Sequence, residues 1–306
     1  MIQDLFCDIY SSIENRNPIL RQIRFYSVLR WLTRRTANIV LPIAFRCCPA
    51  KATVAAKRSP KVIVSLTTFP ARIRKIWLVL ECMMRQTVLP DKIILWLSKE
   101  QFDSVASLPA SLLRMQARGV EIRLVDGDIR SHKKYVYALQ QYPDDILVTV
   151  DDDIFYRSTM IADLLRQHKA CPEAVVTRYA HNMRNDADGA LLPYTQWENN
   201  ATDGTHLFFC SGGGTLFPPH CLHTDVLRTD LAMQLCPCAD DVWLNAMARL
   251  QQTPVVHLSG KETVLPVLGR NDITLFSTNE TGGNDRQIHQ LTAHCRTHYN
   301  TNPFEQ

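Results

Sequence analysis

The chain has 306 residues, 46% of them hydrophobic and 21% charged, which allows a substantial core without disulfides or a structural metal and argues against overall disorder. The net charge of +4 is unevenly placed: residues 1–58 carry eight Arg and two Lys against three acids, a local balance of +7 that leaves −3 for the rest. The basic character belongs to the N-terminal segment, and no basic face with aromatic or helix-turn-helix support lies elsewhere, which excludes a nucleic-acid partner.

Ten Cys are scattered along the chain. Cys47-Cys48 is vicinal and Cys236-Pro-Cys238 is too tightly spaced for half of a zinc pattern, so the thiols read as reduced and mostly buried, in a cytosolic protein. Asp4 and Asp8 stand where a signal peptide would have its apolar stretch. The longest apolar run near the start, Ala37–Phe45, falls far short of the ~20 residues that span a bilayer. The expectation is a protein that neither crosses a membrane nor enters a secretory route.

Residues 19–35 have helical spacing, with Phe25, Val28, Leu29 and Leu32 on one side and Arg30 and Arg34 toward the other. Trp31, Tyr26 and the basic side chains suit an anionic membrane surface. The alternative is a helix packed on the main domain with a solvated Arg face. Residues 49–60 read as a linker, dividing the chain into a basic amphipathic segment at 1–58 and a main domain at 59–306.

From Lys61 onward short apolar runs alternate with amphipathic stretches. Runs of strand length lie at 61–66, 92–97, 121–125 and 145–150, and stretches long enough for helices lie at 72–86, 108–119 and 131–142. This alternation predicts an α/β fold, a mostly parallel central sheet with helices on both faces. Ligands of such sheets sit beyond the carboxyl ends of the strands, so the polar residues there are the ones to read for chemistry.

The fourth run ends in Asp151, Asp152 and Asp153. In extended chain Asp151 and Asp153 point one way and Asp152 the other. Two hard oxygen ligands on one side suit Mg²⁺ or Mn²⁺, which also takes diphosphate oxygens and water. The alternative is a solvated acidic turn. Asp126-Gly127-Asp128, after the third run, reads as a turn or as a ribose-binding pair. Lys133 and Lys134 open a helix, an unfavourable place for cations unless an anion lies near. Gly212, Gly213 and Gly214 permit close backbone approach, as where a sugar lies on main chain, or a hairpin turn. Asp240 and Asp241 start an amphipathic helix, where acids also serve as caps. His257 ends another strand-like run before Gly260-Lys261; it reads as a buried hydrogen-bonded His or as a further metal ligand.

In order, DDDIF, CSGGG and DDVWL resemble the inverting GT-A glycosyltransferases, especially the β-1,3-galactosyltransferase and fringe-like groups, over roughly Lys61 to Lys261. The resemblance implies a GT-A-like (Rossmann-like) domain. Asp151 and Asp153 then match the DXD metal positions, with Asp152 in the same nucleotide-binding motif. Gly212–Gly214 match the segment lining donor and acceptor sugars, and Asp241 matches the catalytic base, with Asp240 standing where the family often has Glu. Thr67, Thr68 and Arg72 become candidates for contacting the nucleoside, and Lys133 and Lys134 for anionic donor groups. The implied co-substrate is a nucleotide sugar, UDP-linked, used with Mn²⁺ or Mg²⁺, and the implied acceptor is a glycan or glycolipid hydroxyl. Lacking the N-terminal anchor and lumenal disulfides of the eukaryotic groups, the pattern fits a bacterial cytoplasmic enzyme of lipopolysaccharide or capsule assembly docked on the inner face of the cell membrane. The rival readings are a sugar nucleotidyltransferase, for which SLTTFPAR after the first strand has no Gly-rich phosphate loop, and a non-catalytic carbohydrate-binding protein on the same fold.

Overall fold

The computed structural model describes residues 1–13, 24–51, 58–199, 206–258, 263–269 and 282–305. Four of the expected strands form as β1 (Val62–Thr67), β2 (Lys92–Ser98), β3 (Glu121–Val125) and β4 (Ile146–Val150). Each is a near-continuous apolar run, the signature of a strand covered on both faces. They pair in parallel in the order β3–β2–β1–β4. After β5 (Ile154–Phe155), the sheet continues through β6 (Val175–Thr177), β10 (Gly213–Phe217) and β11 (Val255–His257). The seven strands run β11–β6–β10–β4–β1–β2–β3. Only β10 is antiparallel to its neighbours. The architecture is thus the expected α/β one, a large, mostly parallel sheet flanked by helices. A three-stranded sheet of β7 (Ala180–Asn182), β8 (Glu198–Asn199) and β9 (Leu207–Phe209), and a pair formed by β5 and β12 (Leu265–Pro266), complete the sheets among the described residues.

The helices are α1 (Ile2–Ser12), α2 (Phe25–Cys47), α3 (Trp77–Met84), α4 (Ala110–Gln116), α5 (Lys133–Gln141), α6 (Met160–Ala170), α7 (Thr229–Leu235), α8 (Asp240–Leu250) and α9 (Asn284–Tyr299). Those following β1, β2 and β3 are shorter than their amphipathic spans because the flanking residues close turns. Arg72 and Lys75 lie in one such turn before α3, and Arg130–His132 in another before α5. Two apolar clusters cover the two faces of the sheet. Val62, Val64 and Leu66 of β1 pack on one side, and Ile63 packs on the other with Trp96, Tyr135 and Trp243.

The basic N-terminal segment differs in extent from its sequence reading. Residues 19–23 lie outside the described residues, and α2 runs on past Arg35 through the apolar Ala37–Phe45 stretch. Its inward residues Ala37, Leu41 and Phe45 share the core with Cys7 of α1 and Val64 of β1. The expected linker begins where buried Glu81 takes the Ala50 N–H at 2.6 Å; its residues 52–57 lie outside the described ones. No described helix is long and apolar enough to cross a membrane.

Candidate active site

The parallel strands β1 and β4 adjoin, which brings Thr67 and Thr68 beside the Asp triplet. Strand alternation does not reach the three aspartates, because β4 stops at Val150 and Asp152 and Asp153 form a turn. The expectation that Asp152 points away from the other two is therefore corrected: Arg72 holds Asp152 at 2.6 Å and Asp153 at 2.9 Å in one guanidinium fork. Thr68 gives its hydroxyl to Asp152. Thr67 sends its hydroxyl to the Trp96 carbonyl, joining β1 to β2.

Asp151 faces a different cation. The ammonium of Lys134, on the first turn of α5, lies 2.8 Å from Asp151 Oδ1 and 2.9 Å from Asp240 Oδ2. One buried Lys thus joins the strand-end carboxylates to the pair that opens α8. Burial opposes charge on Lys134, but Asp151, Asp240 and Asp241 outweigh it and hold the amine well above its usual range. A cation at a helix N-terminus is accounted for by these three acids. Lys133, its neighbour, is also buried but gives its ammonium to Asp128. Asp128 lies just past Gly127, whose φ of +74° closes the expected turn. Lys133 thus lies apart from the carboxylates that Lys134 joins.

Ser211 organises the second pair. Its hydroxyl donates to Asp240 Oδ2 and its N–H to Asp241 Oδ1, both at 2.7 Å. Burial works against ionising Asp240, but the Lys134 ammonium and the hydrogen bonds from Lys134 and Ser211 overcome it and set its pKa to about 2. Asp241 is pushed up to about 7 by burial and by the charge of Asp240, with Lys134 opposing. Asp240 is buried, while Asp241 keeps a partly open face. The two acids are therefore unequal: a charged anchor and a carboxylate poised to exchange a proton near neutrality.

The glycine segment is shaped by the same carboxylates. A Cβ on Gly212 would sit 1.8 Å from Asp151 Oδ2, so only glycine leaves Asp151 its place. Gly214 has φ +97° where the β10–β4 register shifts, a backbone that other residues adopt at a cost. Gly213 starts β10 and packs its backbone against Tyr179.

Several contributors had little sequence signal. Tyr156 accepts the Asp151 N–H at 2.8 Å and donates its hydroxyl to the Gly212 carbonyl. Thr149 donates to the Ser211 carbonyl at 2.6 Å. His132, kept neutral by burial, bridges Tyr135 and the Cys236 carbonyl beneath Asp240. Only Ser211 could have been singled out, from its place in CSGGG.

His257 is not brought to this cluster. It pairs with Thr177 on β6, which leads through β10 to β4, three strand spacings or about 14 Å away. Its Nε2 is 3.0 Å from the Arg178 carbonyl. The metal-ligand reading of His257 beside Asp151 and Asp153 is corrected accordingly: it is a buried, hydrogen-bonded histidine. Gly260-Lys261 lie outside the described residues.

Asp151 and Asp153 retain the chemistry a hard divalent cation wants. Both are partly open, and Asp153 is driven up to about 7 by burial first and by the charge of Asp151 second, despite Arg72. Among the described residues no three His, Cys, Asp or Glu side chains form a ready cage. A cation here would draw the rest of its shell from ligand oxygens and water.

No family model and no curated protein matches the sequence. Among solved structures, the chain is similar in overall fold to the mannosyltransferase PcManGT from Pyrobaculum calidifontis, determined with GDP-Man and Mn²⁺. The two are 14% identical, with 90% of this chain and 77% of that one covered and a TM-score of 0.46. S. aureus TarS 1-349, determined with UDP, is 13% identical over 78% of this chain and 73% of that one, at a TM-score of 0.43. A 4-diphosphocytidyl-2C-methyl-D-erythritol synthase is 12% identical over 76% and 99%, at 0.38.

Proposed function

We propose that the protein is a metal-dependent, inverting glycosyltransferase that moves a sugar from a nucleotide donor to a hydroxyl of a glycan or glycolipid. The observation that carries this reading is the unequal pair at the start of α8, joined by Lys134 to the carboxylates at the end of β4. An acceptor hydroxyl must lose a proton as it attacks, and Asp241 is a carboxylate with a pKa of about 7 and a partly open face. A nucleotidyltransferase joins a sugar phosphate that is already an anion at neutral pH and has no need of such a base.

The chain's own residues divide the work. Asp241 takes the acceptor proton. Asp240, fixed by Lys134 and Ser211, keeps the pKa of Asp241 high. Arg72 and Thr68 set the turn bearing Asp152 and Asp153, and Gly212 leaves room for Asp151. A divalent cation held by Asp151 and Asp153, Mn²⁺ or Mg²⁺, would neutralise charge on the leaving diphosphate. Lys133 and Asp128, beyond β3, we assign to the nucleoside side of the donor, with Thr67 in the same wall. We place the enzyme in bacterial surface-polysaccharide or lipopolysaccharide synthesis, peripheral to the inner face of the membrane, with residues 19–35 of the basic segment 1–58 as its docking helix and 59–306 as the catalytic domain.

The deciding experiment measures nucleoside diphosphate release from a panel of nucleotide sugars, with and without acceptor glycans and with chelator. Release that needs both acceptor and metal supports the reading. Pyrophosphate release from a nucleoside triphosphate and a sugar phosphate would assign the site to nucleotidyl transfer instead.

A further inference from the structure

Helix α2 turns one apolar stripe inward and another outward. Inward lie Ala37, Leu41 and Phe45. Outward lie Phe25, Val28, Leu29, Leu32, Ile39 and Ile43, all exposed, Ile39 as much as 63%. At 100° per residue these six fall within an arc of about 100°, a continuous stripe along the whole helix. Helix α1, packed against α2, repeats the pattern: Cys7 and Tyr10 face in, while Ile2, Leu5 and Ile9 are exposed. Apolar exposure on this scale marks an interaction surface.

The charge around it selects the partner. Beside the stripe α2 carries Arg35 and Arg46 and no acidic residue, exposed Arg24 precedes it, and Arg30 turns away to the Ile13 carbonyl. Arg35 and Arg46 flank the stripe and stack on Trp31 and Trp77, at 5.5 and 5.0 Å. The acids of α1 are engaged by the body: Asp4 takes the N–H and hydroxyl of Ser158, and Asp8 takes Arg157. A second copy docking here would bring arginines to arginines, with no carboxylate on α2 to receive them. A layer of anionic headgroups over hydrocarbon matches both the stripe and its rim.

We infer that the outward faces of α1 and α2 together form a monotopic docking surface for an anionic lipid bilayer, extending through Ile43 and including α1, well beyond residues 19–35. This rests on the membrane-side placement proposed above but on none of the chemistry. The surface is tied to the site. Gln3 Nε2 donates to the Tyr156 carbonyl at 3.1 Å, and the Tyr156 hydroxyl holds Asp151 and Gly212. Asn38 of α2 bonds the Pro266 carbonyl and the Leu268 N–H at 2.9 and 2.8 Å. Docking through these helices would hold the Asp151 loop at a fixed depth over the lipid.

The test is flotation of the full chain with vesicles of phosphatidylcholine alone or mixed with phosphatidylglycerol. The protein should float with the mixed vesicles at low salt and be released as salt rises, since exposed charge is screened. The pair Leu32→Glu and Ile39→Glu should abolish flotation, and Arg24→Glu with Arg35→Glu should weaken it several-fold. Both pairs should keep the parent's circular dichroism and its nucleoside diphosphate release with a water-soluble acceptor. Flotation of the Glu pair equal to the parent's overturns the inference, as does equal binding to both vesicle types. A parent that sediments as a dimer and binds no vesicle, with a monomeric Glu pair, gives the surface to a second copy instead. Vesicle binding without any nucleotide release would leave the docking surface standing and remove the transferase reading.

Discussion

Asp240 and Asp241 are consecutive, both bonded to Ser211, and shifted in opposite directions in their readiness to hold a proton. Burial raises both; Lys134, 2.9 Å from Asp240, reverses it there, and the charge left on Asp240 adds to burial at Asp241. A pair of titratable groups pushed apart in this way assigns its own roles.

Asp241→Asn keeps the shape but cannot accept a proton. It should lower turnover by about 10²–10⁴-fold while donor binding persists. Proton NMR of the product from the parent should show inversion at the anomeric carbon, as a single displacement requires. Retention, or near-normal turnover of the variant, would take Asp241 out of this role.

The pH profile follows from the same residue. Asp241 must be ionised to act, so kcat/KM should rise with pH through about 7 and level above it. Asp240→Asn removes the like charge and should move this limb to lower pH. An unmoved limb would show that the pair is not coupled as described.

Stability should vary with pH in the opposite sense. The folded pKa of Asp241 lies above its ordinary 3.8, so its contribution is full below about pH 4 and lost as pH rises through 7. Asp241→Asn should therefore match the parent's Tm near pH 4 and exceed it by about 2 °C or more at pH 8. Calorimetry across that range checks the sign.

Lys134→Met should be among the most damaging single changes in the chain. It leaves Asp151 and Asp240 facing each other without their shared cation. Breaking a buried ion pair in this way costs about 3–5 kcal/mol. Denaturant midpoints measured beside Lys133→Met, which unpairs only the partly exposed Asp128, should show the larger loss for Lys134.

Gly212→Ala and Gly127→Ala separate crowding from backbone strain. At Gly127 the φ is +74° but no atom lies within 4 Å of an added Cβ, so the cost is about 1–2 kcal/mol of stability with turnover kept. At Gly212 the Cβ displaces the Asp151 carboxylate, so metal-dependent nucleotide binding should fall sharply. Chelation should abolish turnover of the parent and Mn²⁺ should restore it, and Asp153→Asn should raise the Mn²⁺ needed. Full activity in chelator would remove Asp151 and Asp153 from metal binding.

Much of the framework is written locally. The four apolar runs begin and end within a residue of β1 to β4, because a strand buried on both faces needs little beyond its own composition. The Asp triplet at the end of β4, the start of α8 at Asp240 and the Gly127 turn are legible for the same reason: each depends on neighbours in the chain. What only the tertiary structure decided is which group meets which. Lys134 and Lys133 stand side by side in sequence, yet one joins Asp151 to Asp240 and the other serves Asp128. Arg72 gathers Asp152 with Asp153 because β4 ends before alternation can separate them. His257 ends a strand as read, but that strand lies across β6 and β10 from the aspartates. The outward stripe of α2 is likewise known only once Ala37, Leu41 and Phe45 have chosen the inward side. Charge and burial act through space over a few ångströms, and those distances are set by how the strands and helices cross, which no local pattern contains.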